Sequence, residues 1–120
     1  MTQPEPKPLR WVGDSLEQVR SFPEAVKKDI GSALFDIQMG ARPPQAKPLK
    51  GISSGIWEIV TRFDTNTYRT VYAVKIGERV YVLHAFQKKS PRGSKTAKKD
   101  IETITRRYRE ALAIEKEDKS

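Results

Sequence analysis

Cysteine is absent from the 120 residues, and histidine occurs once, at His84. The first absence excludes a disulfide scaffold, a zinc finger and a thiol nucleophile, and it suits a reducing cytoplasm. Long apolar runs are missing too. No stretch of about 18 apolar residues is present, so no membrane span is expected. The opening Met-Thr-Gln-Pro-Glu-Pro-Lys-Pro has no apolar segment, so no secretory leader is expected. Acidic residues are in short supply, 15 Asp and Glu against 23 Lys and Arg, for a net charge of +8. With 37% hydrophobic residues the chain can still fold, and at this length one domain over 1–120 is expected.

The surplus charge is unevenly placed. Residues 1–39 are near neutral at −1, residues 40–75 carry +4, residues 88–109 carry +7 and the tail from Glu110 carries −2. A solvated surface is the common reading of a charge run, but segregation on this scale points to a polyanion.

Patterning predicts the elements. Residues 1–8, with Pro4, Pro6 and Pro8, read as a loose lead-in, and 116–120 as a loose tail. Leu9 to Val12 suits an edge strand, and Asp14 or Ser15 caps a short helix to Phe22. Pro23 starts a second helix whose Val26, Ile30, Ala33, Leu34 and Ile37 form one stripe. Ala41 to Pro48 holds Pro43, Pro44 and Pro48 and reads as an extended loop. A meander follows, with strands at Ile56–Phe63, Tyr68–Ile76 and Arg79–Phe86. Gly77-Glu78 fits a two-residue type II′ loop between the last two. Thr96 caps a last helix with a stripe of Ile101, Ile104, Tyr108, Ala111 and Leu112. The expected class is α+β: two N-terminal helices packed on a mostly antiparallel sheet of about four strands, then a C-terminal helix, with the helices grouped on one side.

Carboxylates are too few in the basic half to suggest a metal site, and Glu58 and Asp64 form no recognisable pair. Metal-free cleavage is open to RNA alone, since its 2′-hydroxyl is the nucleophile. The protein then supplies a base, an acid and cations for the phosphorane. Strand parity puts Glu58, Val60 and Arg62 on one face, Arg69 with Val71 and Ala73, and Val80, Val82, His84 and Phe86 together, with Lys88 continuing. Each residue has a plainer reading. His84 fits a packed strand histidine, Arg62 and Arg69 fit exposed strand arginines, and Lys88-Lys89 fits loop gatekeepers. Trp57, Tyr68, Tyr72 and Phe86 fit the core. Lys95, Lys98, Lys99, Arg106, Arg107 and Arg109 fit the solvated face of the last helix.

Three segments carry a resemblance: Ile56-Trp57-Glu58-Ile59, Tyr68-Arg69-Thr70-Val71-Tyr72, and Val82-Leu83-His84-Ala85-Phe86-Gln87-Lys88-Lys89-Ser90, with Lys95-Thr96 before the last helix. In these the chain resembles the RelE/ParE superfamily of bacterial toxins, closest to the phage-related HigB-like branch. The resemblance implies a microbial-RNase-like fold and a toxin that cuts mRNA on the translating ribosome without a cofactor. It also implies inhibition by a cognate helix-turn-helix antitoxin, HigA-like. By its motifs Arg69 is the charge-stabilising arginine, Lys88 and Lys89 hold phosphate or assist the leaving oxygen, and His84 is the base or acid. Many relatives have arginine where this chain has Val60, and Arg62, on the same face, is the candidate substitute. RNA contacts are assigned to Tyr72, Phe86, Arg92, Lys95, Lys98 and Lys99. ParE-like relatives instead poison DNA gyrase without cutting RNA, and an inactive phage remnant that binds a partner is a third reading.

Overall fold

A computed structural model describes residues 5–88 and 96–119. In chain order the elements are β1 (Leu9–Trp11), α1 (Ser15–Arg20), α2 (Glu24–Gln38), β2 (Ala46–Pro48), β3 (Ile56–Phe63), β4 (Asn66–Ala73), β5 (Val80–Lys88) and α3 (Lys98–Lys119). The strands form one sheet in the order β1-β5-β4-β3-β2. The β1–β5 pair is parallel and the other pairs are antiparallel. The sheet thus has five strands rather than four. The extra one, β2, lies in the proline-rich stretch read as a loop. Pro48 is tolerated because β2 is an edge strand that pairs only with β3.

The helices do not share one side. The α2 stripe of Val26, Ile30, Ala33, Leu34 and Ile37 packs with Val19 and Phe22 on Ile59, Tyr68, Tyr72, Val80, Val82 and Ala85. On the reverse face Ile104 and Ala111 of α3 meet Val12, Ile56, Val71, Ala73, Ile76, Tyr81 and Leu83. Val71 to Ala73 of β4 are buried with alternate side chains in opposite layers, so both faces of the sheet need a cover. Leu112, expected in the stripe of α3, is instead 44% exposed.

Lys7 and residues 116–119 are tied more firmly than their composition suggests. Lys7 N–H donates to the Gln38 carbonyl at 2.9 Å, and Gln38 Nε2 donates back to the Lys7 carbonyl at 2.7 Å. Residues 116–119, read as loose, continue α3, where Asp118 pairs with Arg79.

Two local geometries differ from the simple pattern. The β4–β5 connection runs over residues 74–79, so Gly77-Glu78 is not a two-residue hairpin loop. The tight turn lies in β3–β4, where Phe63 pairs with Asn66 and both intervening residues have positive φ, 50° at Asp64 and 66° at Thr65. The second difference is a β-bulge. Val71 pairs with His84 while Tyr72 pairs with Val82, which leaves Leu83 as an extra residue in β5. The expected common face of Val80, Val82, His84 and Phe86 is therefore broken. Val80 and Val82 face α1 and α2, whereas His84, Phe86 and Lys88 are carried to the α3 side. Among the described residues no helix is long and apolar enough to cross a membrane.

Candidate functional site

The bulge assembles the site. Residues directly opposite in a ladder project from the same face, so three cross-strand rows stand on the α3 side. They are Lys47–Glu58–Val71–His84, Val60–Arg69–Phe86 and Arg62–Thr67–Lys88. Arg62, Arg69, His84, Phe86 and Lys88 are thereby brought to one side of the sheet. Val60 sits beside Arg69, and exposed Arg62, the candidate substitute, lies one row further towards the turn.

Arg69 is 5% exposed and Glu58 2%. They lie diagonally across β3 and β4, and the Arg69 guanidinium donates directly to Glu58 Oε1. Lys47 Nζ approaches the same oxygen at 3.6 Å. Glu58 Oε2 and Arg69 Nε find no hydrogen-bond partner among the described residues. The pair therefore presents one satisfied edge and two unused polar atoms, an acceptor and a donor, near Lys88. Burial chiefly pulls the Lys88 ammonium below the usual lysine range; Arg69 and Lys47 add to this by repulsion and Glu58 opposes it. Lys88 therefore gives up its proton more readily than an ordinary lysine.

A second group surrounds His84. Its Nε2 lies 2.8 Å from Asp100 Oδ1 of α3, and its Nδ1 lies 3.3 Å from Arg107 Nη1. A guanidinium only donates, so neutral His84 accepts at Nδ1 and carries its proton on Nε2, pointed at Asp100. Arg107 also donates to the Leu83 carbonyl at 3.1 Å and pairs with Asp14 at 2.7 Å. Burial raises the Asp14 carboxyl, but hydrogen bonds from Arg107 and Gln18 and the positive charge of Arg107 outweigh it, so its pKa falls below the usual value. The Phe86 ring stacks on His84, with centroids 5.0 Å apart and planes inclined by 27°. Beside these groups β1 has ended, because it covers only Val80 to Val82. A cleft of about 790 Å³ opens there between α1, β5 and the start of α3, and Gln18, Tyr68, His84, Phe86, Lys88 and Lys99 help line it.

Other expected residues fall elsewhere. Tyr72 is 3% exposed and packs against α2 on the opposite face of the sheet, so it is away from the cleft, and burial pushes its hydroxyl up to about 12. Lys98 is exposed on the first turn of α3 and Lys99 reaches the cleft. Lys89, Arg92 and Lys95 lie outside the described residues. Arg107, grouped with the solvated face of the helix, is turned inward with its side chain 11% exposed. Sequence reasoning passed over the partners Glu58, Lys47, Asp14 and Asp100. Glu58 carried a signal, since it is a charged residue at an inward position of an apolar strand. Asp100 carried a weaker one as one of two acids within the basic run 88–109. Among the described residues no three His, Asp or Glu side chains gather to hold a metal ion.

The family profile described as phage derived protein Gp49-like (DUF891) matches residues 17–109. The chain belongs to the Gp49-like family. This Gp49-like chain also shares its fold with solved toxins. A free mutant of the E. coli toxin RelE superposes with a TM-score of 0.62 at 19% identity, covering 86% of this chain and 98% of that one. The RelBE2 toxin–antitoxin complex from Mycobacterium tuberculosis gives 0.50 at 18% identity, covering 70% of this chain and 100% of that one. A comparison with curated proteins returns no match. Identities this low establish the RelE fold for the Gp49-like chain, and its chemistry rests on its own residues.

Proposed function

We propose that this Gp49-like chain is the toxin of a toxin–antitoxin module and a ribosome-dependent endoribonuclease that halts translation by cutting mRNA. The single observation that carries this reading is the gathering of Arg62, Arg69, His84, Phe86 and Lys88 on one side of a RelE-type sheet. In this mechanism the RNA backbone lies over the end of β3–β5. Glu58, with its unused oxygen, or His84 takes the proton of the 2′-hydroxyl. Arg69 and Lys88 neutralise charge growing on the phosphate, and Lys88 or His84 protonates the departing 5′-oxygen. Phe86 offers a ring face to a base, and Lys98 and Lys99 extend the cationic surface. Lys89, Arg92 and Lys95 belong to the same basic segment. The inhibiting partner is a helix-turn-helix antitoxin of HigA type, and the site of action is the cytoplasm.

One observation favours a second reading, a non-nucleolytic toxin of the gyrase-poisoning kind or an inactive binding protein. Arg69 is spent on buried Glu58, and both nitrogens of His84 are engaged. Mapping mRNA 5′ ends after induced expression separates the two. Codon-positioned cuts that vanish in Lys88→Ala while the variant stays folded support the nuclease. Growth arrest with intact mRNA and a DNA-damage response overturns it.

A further inference from the structure

Half of the basic residues of 40–75, namely Arg42, Lys50 and Lys75, take no part in the site described above. They line a separate groove of about 640 Å³ with Trp57 and the 48–56 segment. It lies at the Ile56 end of β3, where Trp57 is paired with Pro48 of the edge strand β2, whereas Arg62 and Lys88 mark the opposite end of the sheet. At about 3.4 Å per residue, Trp57 and Arg62 are roughly 17 Å apart along the strand.

Three features together suit this groove to a polyanion. First, its cations are unneutralised. Several other basic residues face a carboxylate, as Lys27, Lys47, Arg69, Arg79 and Arg107 do, but Arg42, Lys50 and Lys75 form no ion pair among the described residues. Three like charges held round one groove repel each other and are relieved by a polyanion. Second, the guanidinium of Arg42 stands 4.4 Å from the Trp57 ring centroid. Stacking orders that long side chain in advance and leaves its in-plane donors for phosphate oxygens. Third, Gly55, at φ +84°, makes room for the Lys75 stem, because a Cβ there would lie 2.8 Å from Lys75 Cγ and Cδ. The Lys75 stem thus passes close over Gly55, while the residue stays exposed to solvent at the groove.

We infer that this Trp57-centred groove is a second nucleic-acid contact, taking single-stranded RNA by its phosphates with a base against the Arg42–Trp57 stack. The choice of RNA among polyanions rests on the proposed function, while the charge and ring argument stands without it. An acidic protein would meet the same charges, and the titrations below separate it from RNA.

The test is anisotropy of a fluorescent 12-nucleotide 2′-O-methyl RNA titrated with the full chain between 50 and 300 mM KCl. This RNA has no free 2′-hydroxyl, so binding is read whether or not the chain cuts RNA. The triple variant Arg42→Gln, Lys50→Gln, Lys75→Gln is expected to bind about tenfold or more weakly at low salt. Its salt slope should fall by about 2, as expected for three lost single-strand phosphate contacts. The variant Lys50→Arg, Lys75→Arg, which keeps Arg42 on Trp57, should retain binding, with an unchanged thermal midpoint confirming the fold of both variants. Unchanged affinity and slope in the Gln variant overturn the inference. So does a loss confined to a fluorescent glutamate-rich peptide, which would assign the groove to an acidic protein. Failure of mRNA cleavage with groove-dependent RNA binding intact would count against the nuclease reading alone.

Discussion

Arg69 of β4 and Glu58 of β3 form a direct ion pair across the sheet, both almost fully buried, with the second oxygen of the carboxylate left unbonded among the described residues. Deleting one partner strands a charge in a low-dielectric layer, which typically destabilises by about 3–5 kcal/mol. Arg69→Ala is expected near the lower end, because Lys47 still approaches Glu58 at 3.6 Å. Urea unfolding should show a lower midpoint for Arg69→Ala and for Glu58→Ala, with the double variant Glu58→Leu, Arg69→Met recovering much of the loss. Additive losses in the double variant would contradict the pairing.

Lys88 gives a pH prediction. Its folded pKa is lowered, chiefly by burial and then by Arg69, so its charge is lost at a lower pH than the usual value of about 10.4. Cleavage that needs the Lys88 cation should decline on the alkaline side before an ordinary lysine would titrate, and Lys88→Arg should extend the plateau. The stability sign is opposite. Between the folded and unfolded values the unfolded chain binds more protons, so stability rises with pH through that window. Lys88→Met should flatten the rise in denaturation series run from pH 7 to 10.5.

Arg107 joins α3 to β5 and to Asp14 ahead of α1, and Gly13 sits against it. A Cβ at Gly13 would lie 2.5 Å from Arg107 Nε, at a φ of +59° that disfavours side chains. Gly13→Ala and Arg107→Ala are each expected to destabilise by about 1–3 kcal/mol and to move the His84 ring signals in NMR. Asp14 supplies the acid limb. Its folded pKa is lowered, so its contribution is complete above the unfolded value of about 3.9 and fades as pH falls through the folded one. Asp14→Asn should remove that part of the acid-unfolding curve.

The β3–β4 turn holds a β-branched residue, Thr65, at a φ of 66°. Left-handed backbone costs a side-chain-bearing residue roughly 1–2 kcal/mol, and a two-residue turn of this kind favours Asn-Gly. Replacing Asp64-Thr65 with Asn-Gly should raise the thermal midpoint by a few degrees in calorimetry. A lower midpoint would show that the turn side chains contribute more than the strain removes.

The helices and most strands, though not the proline-bearing β2, were legible because their apolar periods are regular. The α2 stripe from Val26 to Ile37 and the bounds of β3 follow directly from that pattern. What stayed hidden depends on registry. Parity along β5 assigns His84 to the face of Val82, and only the ladder with β4 reveals the added residue at Leu83. Arg107 is one of several basic residues on a charged helix until packing turns it towards Leu83 and Asp14. The Glu58–Arg69 pair was half visible, as two charges inside apolar strands, but their contact is a diagonal that only pairing can fix.

The bulge at Leu83 also guards the fold against its own nearest mistake. A β5 paired without the extra residue would slip by one position, turning Lys88 and His84 towards the apolar layer under α2 and Ala85 away from it. Driving an ammonium into that layer is heavily penalised, so the misassembled chain is rejected energetically. Lys88, proposed to grip RNA, therefore also weighs against the slipped register, and a Lys88→Leu chain is expected to discriminate less between the two registers.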